Sequence, residues 1–225
     1  MGRGDPAALV DCAVRLTMST TTATRLSIFP LPGAVLYPGL QLPLHIFEPR
    51  YRALVKDALA RDRRIAMIQP QSSEDGAPLF SVGCVGKIGQ VEALEDGRFN
   101  LVLEGEARFR LLRELDAVTP FRQIEAELLL EPENEALSAV ERAGFEREAR
   151  RFADAQGYRV DWGAVQRLDD VSLINGVSQI APFDAAAKQA LLEAEGINER
   201  CELLVQLMQF FGRHDGGDEG RVTLQ

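Results

Sequence analysis

The sequence has 225 residues, of which 46% are hydrophobic, and its formal net charge at pH 7 is -9. This length and composition are typical of a globular protein with one large domain or two small ones. No apolar run approaches the roughly 18 residues of a membrane helix, and the acidic balance disfavours nucleic acid as a partner because its phosphates would be repelled. The first residues lack the compact apolar segment of a secretory signal, so we expect a cytoplasmic protein without a membrane partner.

Cysteine and histidine are too few and too widely spaced for the common disulfide or metal frameworks. Three cysteines lie at positions 12, 84 and 201, an odd number that fits a reducing compartment. The two histidines, His45 and His214, form no local cluster with the spacing of metal ligands. The sequence therefore predicts neither a metal site nor a cofactor.

The first segments of the chain are polar or rich in proline. Residues 1–24 show no pattern that would bury a face, so disorder is expected there, and Met18 competes with Met1 as the true start. A short apolar strand is predicted from Arg25 to Phe29. Prolines at 30, 32, 38 and 43 then predict an extended, turning ribbon from Leu31 to Leu44.

A strand followed by a helix is predicted where this ribbon ends. Leu42 to Phe47 is short and apolar, and Pro49 suits a first helical position, where its fixed φ fits and its missing N–H is not needed. The helix is expected to reach about Arg61. One stripe at helical spacing should face the core, and it contains Tyr51, Leu54, Val55, Ala58 and Leu59.

Between Leu79 and Leu130 the apolar residues alternate with a period of two. Two alternating runs meet at Gly105, and the sequence Glu-Asp-Gly at 95–97 predicts a hairpin turn. Glycines at 83, 86 and 89 indicate bulges or tight bends in a curled sheet. A small, β-rich barrel lobe is therefore predicted for residues 25–131.

From residue 132 the period changes to 3.6, which predicts an α-helical bundle lobe at 132–212 and an α+β fold for the whole chain. Asp184 and Asn198 are predicted N-caps, and Gly212 is predicted to end the last helix. Residues 213–225 are rich in glycine and charge, so a flexible tail is expected.

Several motifs together resemble one known family. They are Phe29-Pro-Leu-Pro32, Val35-Leu-Tyr-Pro-Gly39, Leu42-Pro-Leu-His-Ile-Phe-Glu-Pro-Arg-Tyr-Arg52, Gly83-Cys-Val-Gly-Lys-Ile88, Gly105-Glu-Ala-Arg-Phe-Arg110, Lys188-Gln-Ala-Leu-Leu-Glu193 and Asn198-Glu-Arg200. In this combination the chain resembles the Lon N-terminal domain, also called the Lon substrate-binding domain, over about residues 25–212. The resemblance implies a PUA-like β lobe, a helical second lobe and a role in recognising polypeptide substrates.

Full-length Lon couples this domain to an ATPase module and a serine-lysine protease, and the sequence ends before either could begin. The nearest approach to a phosphate loop, Gly83 to Ile88, has the wrong glycine spacing, and Ile88 stands where a Ser or Thr would hold magnesium. We therefore expect a stand-alone, non-catalytic protein. Its expected partners are unfolded or specific protein substrates, with a protease or an ATPase as a further candidate partner.

Unfolded segments bind exposed apolar groups or free strand edges, and prolines lower the ordering cost of binding, so the proline-rich ribbon is the predicted peptide-binding segment. Its candidate contact residues are Val35, Leu36, Tyr37 and Leu40. No catalytic residue is predicted. His45 is interpreted as a hydrogen-bonded structural histidine, since a hydrolase would need a carboxylate or a serine beside it. Glu48 is interpreted as a cap of the following helix rather than as a peptide contact.

The alternative function is RNA or nucleotide binding by the β lobe. Arg108 and Arg110 alternate with Phe109, a basic and aromatic pattern that occurs on nucleic-acid-binding sheets, and PUA-like folds include RNA binders. Three glutamates flank these arginines, at 104, 106 and 114. Ion pairing within the sheet is therefore the favoured interpretation of the two arginines.

Overall fold

The computed structural model describes residues 23–131 and 135–214, which contain six strands and six helices. In chain order these are β1 (Thr24–Pro30), β2 (Gln41–Ile46), α1 (Pro49–Ala60), β3 (Arg64–Ile68), β4 (Val82–Ala93), β5 (Phe99–Leu115), β6 (Gln123–Leu128), α2 (Ala139–Ala155), α3 (Trp162–Val165), α4 (Asp170–Ile180), α5 (Ala185–Glu193) and α6 (Ile197–His214). The predicted α+β fold class is confirmed. The expectations for the two chain ends fall mostly on residues 1–22 and 215–225, and the predicted lobe boundary falls on 132–134; all three segments lie outside the described residues.

The long strand β5 organises the β-rich lobe. One of its edges pairs with β4, while the other pairs with β2 along its first half and with β6 along its second half. The sheet continues from β4 through β3 and β1 to β6, so β6 closes it against β5 as a barrel. Register shifts after Val85 and after Ile88 confirm the bulges predicted from the glycines of β4.

Gly105 lies inside β5, where the two predicted runs form one continuous strand of 17 residues. The proline-rich ribbon crosses β5 at this point. The Gly39 amide donates to the Gly105 carbonyl at 2.9 Å, and the Gly105 amide donates to the Leu40 carbonyl at 2.8 Å. A side chain at 105 would collide with the Tyr37 carbonyl, so this backbone approach requires glycine.

Helix α1 packs the predicted stripe against the barrel. Tyr51, Leu54, Val55 and Ala58 are buried, and Leu59 is partly buried against the same core. The Tyr51 ring meets the Phe29 ring of β1 edge-on, with 4.3 Å between ring centroids. Burying each large apolar side chain contributes about 1.5–3 kcal/mol, so this stripe fixes α1 on the barrel.

The helical lobe encloses its own core, but two predicted features of its last helix are wrong. Asn198 is not an N-cap, because α6 begins at Ile197; the Glu135 carboxylate, from the segment before α2, accepts the Ile197 amide at 3.1 Å instead. Gly212 does not end the helix, which continues to His214, since Gly212 does not adopt the left-handed conformation that would stop it.

The predicted cap Asp184 is confirmed, and its carboxylate accepts the Ala187 amide at 2.8 Å. We expect Asp184→Ala to lower the free energy of unfolding by about 1 kcal/mol, because the first turn of α5 loses an acceptor. Urea denaturation of Asp184→Ala and of wild type measures the change in the free energy of unfolding. Asp184→Asn keeps an acceptor of the same length and should stay near wild type; equal losses in both variants would contradict the capping role.

Arg108 joins the two lobes. The side chain was expected to pair with the glutamates that flank it in the sheet, but it is only 3% exposed and turned toward the helical lobe. Its guanidinium binds Glu131 at 2.7 Å and donates to the carbonyls of Leu192 and Ala194, at 2.8 and 2.5 Å, and of Glu195, at 3.0 Å. Arg108 therefore forms an ion pair, as expected, but with Glu131 rather than with the flanking glutamates, because β5 passes under the end of α5, a contact between residues more than 80 positions apart.

Arg200 of α6 reinforces the same junction. It is also 3% exposed, and it donates to the Leu191 carbonyl at 2.9 Å, to the Asn175 side chain at 2.7 Å and to the Ala194 carbonyl at 3.2 Å. Two buried cations therefore lie at the negative C-terminal end of α5, where the helix dipole favours positive charge.

Candidate functional site

The ribbon does not present its predicted contact residues to solvent. Val35, Leu36 and Tyr37 are 2%, 0% and 0% exposed, and Leu40 is partly buried. Val35 and Tyr37 pack with Leu192 of α5, since the backbone contact with Gly105 draws the ribbon onto the barrel. These residues were predicted to bind peptide because they were expected to be exposed, and that exposure is contradicted. Val35 and Tyr37 instead pack between the lobes, while Leu36 lies in the barrel core.

An open groove of about 390 Å³ lies beside the end of β2. Its lining comes from the end of β1 with the next residues, 31–32, from the second half of β2 with Phe47, from the start of α1, from the loop at 70–77 and from Arg122. The groove therefore joins the strand–turn–helix segment of the sequence to the first prolines of the ribbon.

Phe47 is the aromatic side chain at this groove that remains accessible. It is 60% exposed, whereas Phe29 and Tyr51 of the same lining are 7% and 8% exposed. Because side chains alternate along a strand, the burial of Ile46 turns Phe47 outward just before Glu48 starts the helix. The groove thus contains an exposed aromatic ring, that of Phe47, beside apolar side chains such as Leu31 and Leu44.

Two arginines fasten the loop at 70–77 over the groove. Arg50 pairs with Glu48 at 3.0 Å and with Asp75 at 2.5 Å, and Arg122 donates to the Ala77 carbonyl at 3.1 Å. The hydrogen bond from Arg50 lowers the pKa of the Asp75 carboxyl. Ion pairs this exposed contribute little to stability, so the loop is held lightly at its solvent side.

Glu48 does not cap α1 through its side chain. Its carboxylate binds Arg50, while its backbone carbonyl accepts the Tyr51 and Arg52 amides at 3.1 and 2.9 Å. Glu48 is therefore the N-cap residue, as interpreted, but it caps the helix through its backbone and not through its side chain. The reason is local, because a guanidinium two residues away is a stronger partner than a helix amide.

His45 lies on the exposed face of β2 and is hydrogen-bonded, as interpreted from the sequence. Its Nδ1 lies 2.7 Å from the Asn100 side-chain oxygen, and an Arg98 nitrogen lies 3.3 Å from its Nε2. Neither neighbour is a carboxylate or a nucleophile, so this arrangement does not support general-base chemistry. Among the residues with described positions, no group of three or more His, Cys, Asp or Glu side chains has a geometry that could hold a metal ion.

None of the helices within 23–131 and 135–214 is both long and apolar enough to cross a membrane. The buried thiol of Cys84 behaves as a small apolar group: it is fully buried, and this burial raises its pKa.

Comparison with known families decides the membership of the chain. A model described as the ATP-dependent protease La (LON) substrate-binding domain matches residues 25–209. The chain belongs to this Lon substrate-binding domain family.

Curated relatives and solved structures agree with the assignment. Lon protease 2 of Syntrophobacter fumaroxidans is 30% identical over 180 residues, which are 75% of this chain and 22% of that protein. Lon protease of Escherichia coli K12 is 26% identical over 191 residues, 81% of this chain and 24% of the relative. This Lon-type chain therefore spans less than a quarter of the length of these two relatives.

The solved structures show the same fold. The Lon N-terminal domain protein from Xanthomonas campestris matches with a TM-score of 0.63 and 22% identity, covering 81% of this chain and 98% of the other. The N-terminal domain of Mycobacterium avium complex Lon protease also has a TM-score of 0.63, with 21% identity, covering 83% and 98%. The β-rich lobe followed by helices is thus the Lon N-terminal fold.

Proposed function

We propose that this Lon-type domain is a non-catalytic module that binds unfolded or specific protein segments in the groove beside Phe47. The observation that carries the proposal is the 60% exposure of Phe47 at the mouth of a groove of about 390 Å³. Leu31 and Leu44 continue this apolar lining. An accessible aromatic group beside apolar walls suits the side chains that an unfolded polypeptide exposes.

Nucleic acid is the less favoured ligand because several barrel arginines are engaged, although Arg110 is exposed. Arg108 is buried at the lobe junction. Arg64 pairs with Glu106 at 2.5 Å, and Arg113 pairs with Glu125 at 2.5 Å. Together with the net charge of -9, these pairs disfavour phosphate binding. We further propose a cytoplasmic location and an ATPase or protease of the Lon type as the partner that receives the bound segment.

Fluorescence anisotropy tests the proposal. The full chain is titrated against labelled α-lactalbumin that is permanently unfolded by reduction and carboxamidomethylation, against native α-lactalbumin and against a short RNA, each at two salt concentrations. We expect saturable binding to the unfolded chain alone, with little salt dependence. Salt-sensitive binding to RNA alone, or no binding to any of the three, would contradict the proposal.

Phe47→Ser should weaken binding of the unfolded polypeptide by about tenfold, since losing one aromatic contact removes on the order of 1–2 kcal/mol. Thermal stability should stay near wild type, because this ring is mostly exposed in the free protein. Phe210→Ser is the matched control: Phe210 is 57% exposed, but it lies on α6, outside the groove lining. Equal affinities of the two variants would place the binding site elsewhere.

A further inference from the structure

The strand β2 has a free edge at the groove. Over its whole length it pairs with β5, and among residues 23–131 and 135–214 no strand pairs with its other edge. The two sides can be told apart by their hydrogen bonds. The Leu40 carbonyl accepts from Gly105 of β5, whereas the Gln41 carbonyl accepts from the Gln179 side chain at 2.8 Å.

In an antiparallel pair, the backbone N–H and C=O groups of successive residues point alternately toward and away from the partner strand. The backbone groups of Gln41, Pro43 and His45 therefore all point away from β5. Pro43 has no N–H to donate, which suits a residue on an edge. His45 therefore supplies both a donor and an acceptor there, and neither has a partner in the described part of the chain. A polypeptide laid along this edge would exchange a pair of hydrogen bonds with His45.

Two concave surfaces border β2. The groove beside Phe47 is lined by Pro43–Phe47 together with Glu48, Glu74 and Asp75, and a second, shallow groove of about 560 Å³ is lined by Pro43–His45 with residues 90–92 and 100–102. On the outer face, His45, Asn100 and Glu92 lie in one cross-strand row, and Asn100 donates to Glu92 at 2.9 Å. Phe47 lies on the same side of the chain as His45, with 6.2 Å between the two ring centroids, so the groove at Phe47 combines an exposed apolar ring with carboxylates.

We propose that an extended polypeptide segment with apolar and basic residues adds to the free edge of β2 as a further strand. This inference rests on the proposed function and specifies its binding mode and its substrate class. The groove at Phe47 supplies apolar contacts, and the carboxylates in its lining favour basic residues in the bound segment. Backbone pairing provides affinity for many sequences, as a recogniser of unfolded chains requires.

Charge favours basic residues in the segment. The groove lining carries three carboxylates, those of Glu48, Glu74 and Asp75, against the guanidinium groups of Arg50 and Arg122. Both guanidinium groups already have carboxylate partners, in Asp75 and Glu114 respectively. A basic segment therefore meets uncompensated negative charge here, and the chain as a whole is also acidic.

The probe is a fluorescein-labelled peptide, Gly-Lys-Val-Lys-Phe-Lys-Val-Lys-Gly, titrated against the full chain. His45→Pro removes the amide donor from the edge without breaking a backbone hydrogen bond to β5, and we expect at least about tenfold weaker binding. His45→Ala keeps that amide and should bind within about twofold of wild type. Gln41→Pro is the comparison, since it alters the same edge outside both grooves, where the Gln41 carbonyl already accepts from Gln179; it should weaken binding less than His45→Pro does.

The outcomes separate the two proposals. Two results would overturn strand addition and leave the proposed function standing. In the first, wild type binds unfolded α-lactalbumin but not this peptide. In the second, His45→Pro binds the peptide as tightly as wild type does. Wild type that binds neither probe would overturn the proposed function itself. A peptide with glutamate in place of every lysine should bind about tenfold more weakly; equal affinity would overturn the basic preference.

N-methylated peptides keep the test decisive if His45→Pro fails to fold. Methyl groups on alternate amides block one edge of the peptide strand, and shifting them by one residue blocks the other edge. Only one of the two edges can face β2, so one methylated peptide should lose at least about tenfold in affinity and the other should bind like the parent. Equal affinity of both would overturn the proposed mode.

Discussion

Gly105→Ala should destabilise the protein by about 3 kcal/mol or more, as measured by urea denaturation. The added methyl group would collide with the Tyr37 carbonyl, where the ribbon crosses β5. Relief requires the two strands to separate, which breaks the hydrogen bonds between Gly39, Leu40 and Gly105. The ribbon would then no longer hold Tyr37 at the lobe junction.

Gly144→Ala is the matched control for this effect. Gly144 lies within α2, and a methyl group there would meet no atom within 4 Å. Alanine is the better helix former, so we expect stability equal to wild type or higher by up to about 1 kcal/mol. A Gly105→Ala protein as stable as Gly144→Ala would contradict the account of the ribbon.

Arg108→Met should uncouple the two lobes and cost about 3–5 kcal/mol. Methionine fills much of the volume but leaves Glu131 without its partner and the carbonyls at the end of α5 without a donor. Trp162, the single tryptophan, lies in α3 and reports on the helical lobe. In this variant we expect the Trp162 fluorescence to report unfolding of the helical lobe at a lower urea concentration than the β-rich lobe. Amide NMR signals of the β-rich lobe measure the unfolding of that lobe.

Arg110→Met serves as the comparison, since Arg110 lies two residues along β5 and is exposed. Its replacement should change stability by less than about 0.5 kcal/mol. If Arg108→Met instead unfolds both lobes at the wild-type midpoint, the buried arginine does not join them.

Features set by short-range chemistry were predictable from the sequence. Pro49 and the stripe from Tyr51 to Leu59 predicted α1, and alternation with bulge-forming glycines predicted the curled sheet. Each of these signals lies within a few residues of the element that it specifies. The Lon family assignment likewise followed from local motifs.

Features set by contacts between distant residues were not predictable in the same way. An arginine on a strand has the same local pattern whether it pairs at the surface or is buried like Arg108 under a helix. The first turn of α6 is capped by Glu135, which lies 62 residues earlier. The ribbon residues were expected to be exposed for the same reason, because only the folded lobes bring Leu192 against Tyr37.

Phe47 shows how a local signal was present but assigned to a different role. The sequence places it between a buried strand residue, Ile46, and the Glu48-Pro49 start of a helix. Because Ile46 points into the core, the next side chain, that of Phe47, points to solvent. The groove beside it also needs residues 30–32 and 70–77, which no local pattern brings together.

The central claim, that the groove at the end of β2 binds unfolded polypeptide, is tested most directly by amide chemical-shift mapping. The ¹⁵N-labelled full chain is titrated with carboxamidomethylated α-lactalbumin. We predict the largest shifts at residues 44–47, with further shifts in the loop at 70–77. Shifts confined to the helical lobe, such as the surface between α2 and α6 around Gly144 and Cys201, would contradict the claim.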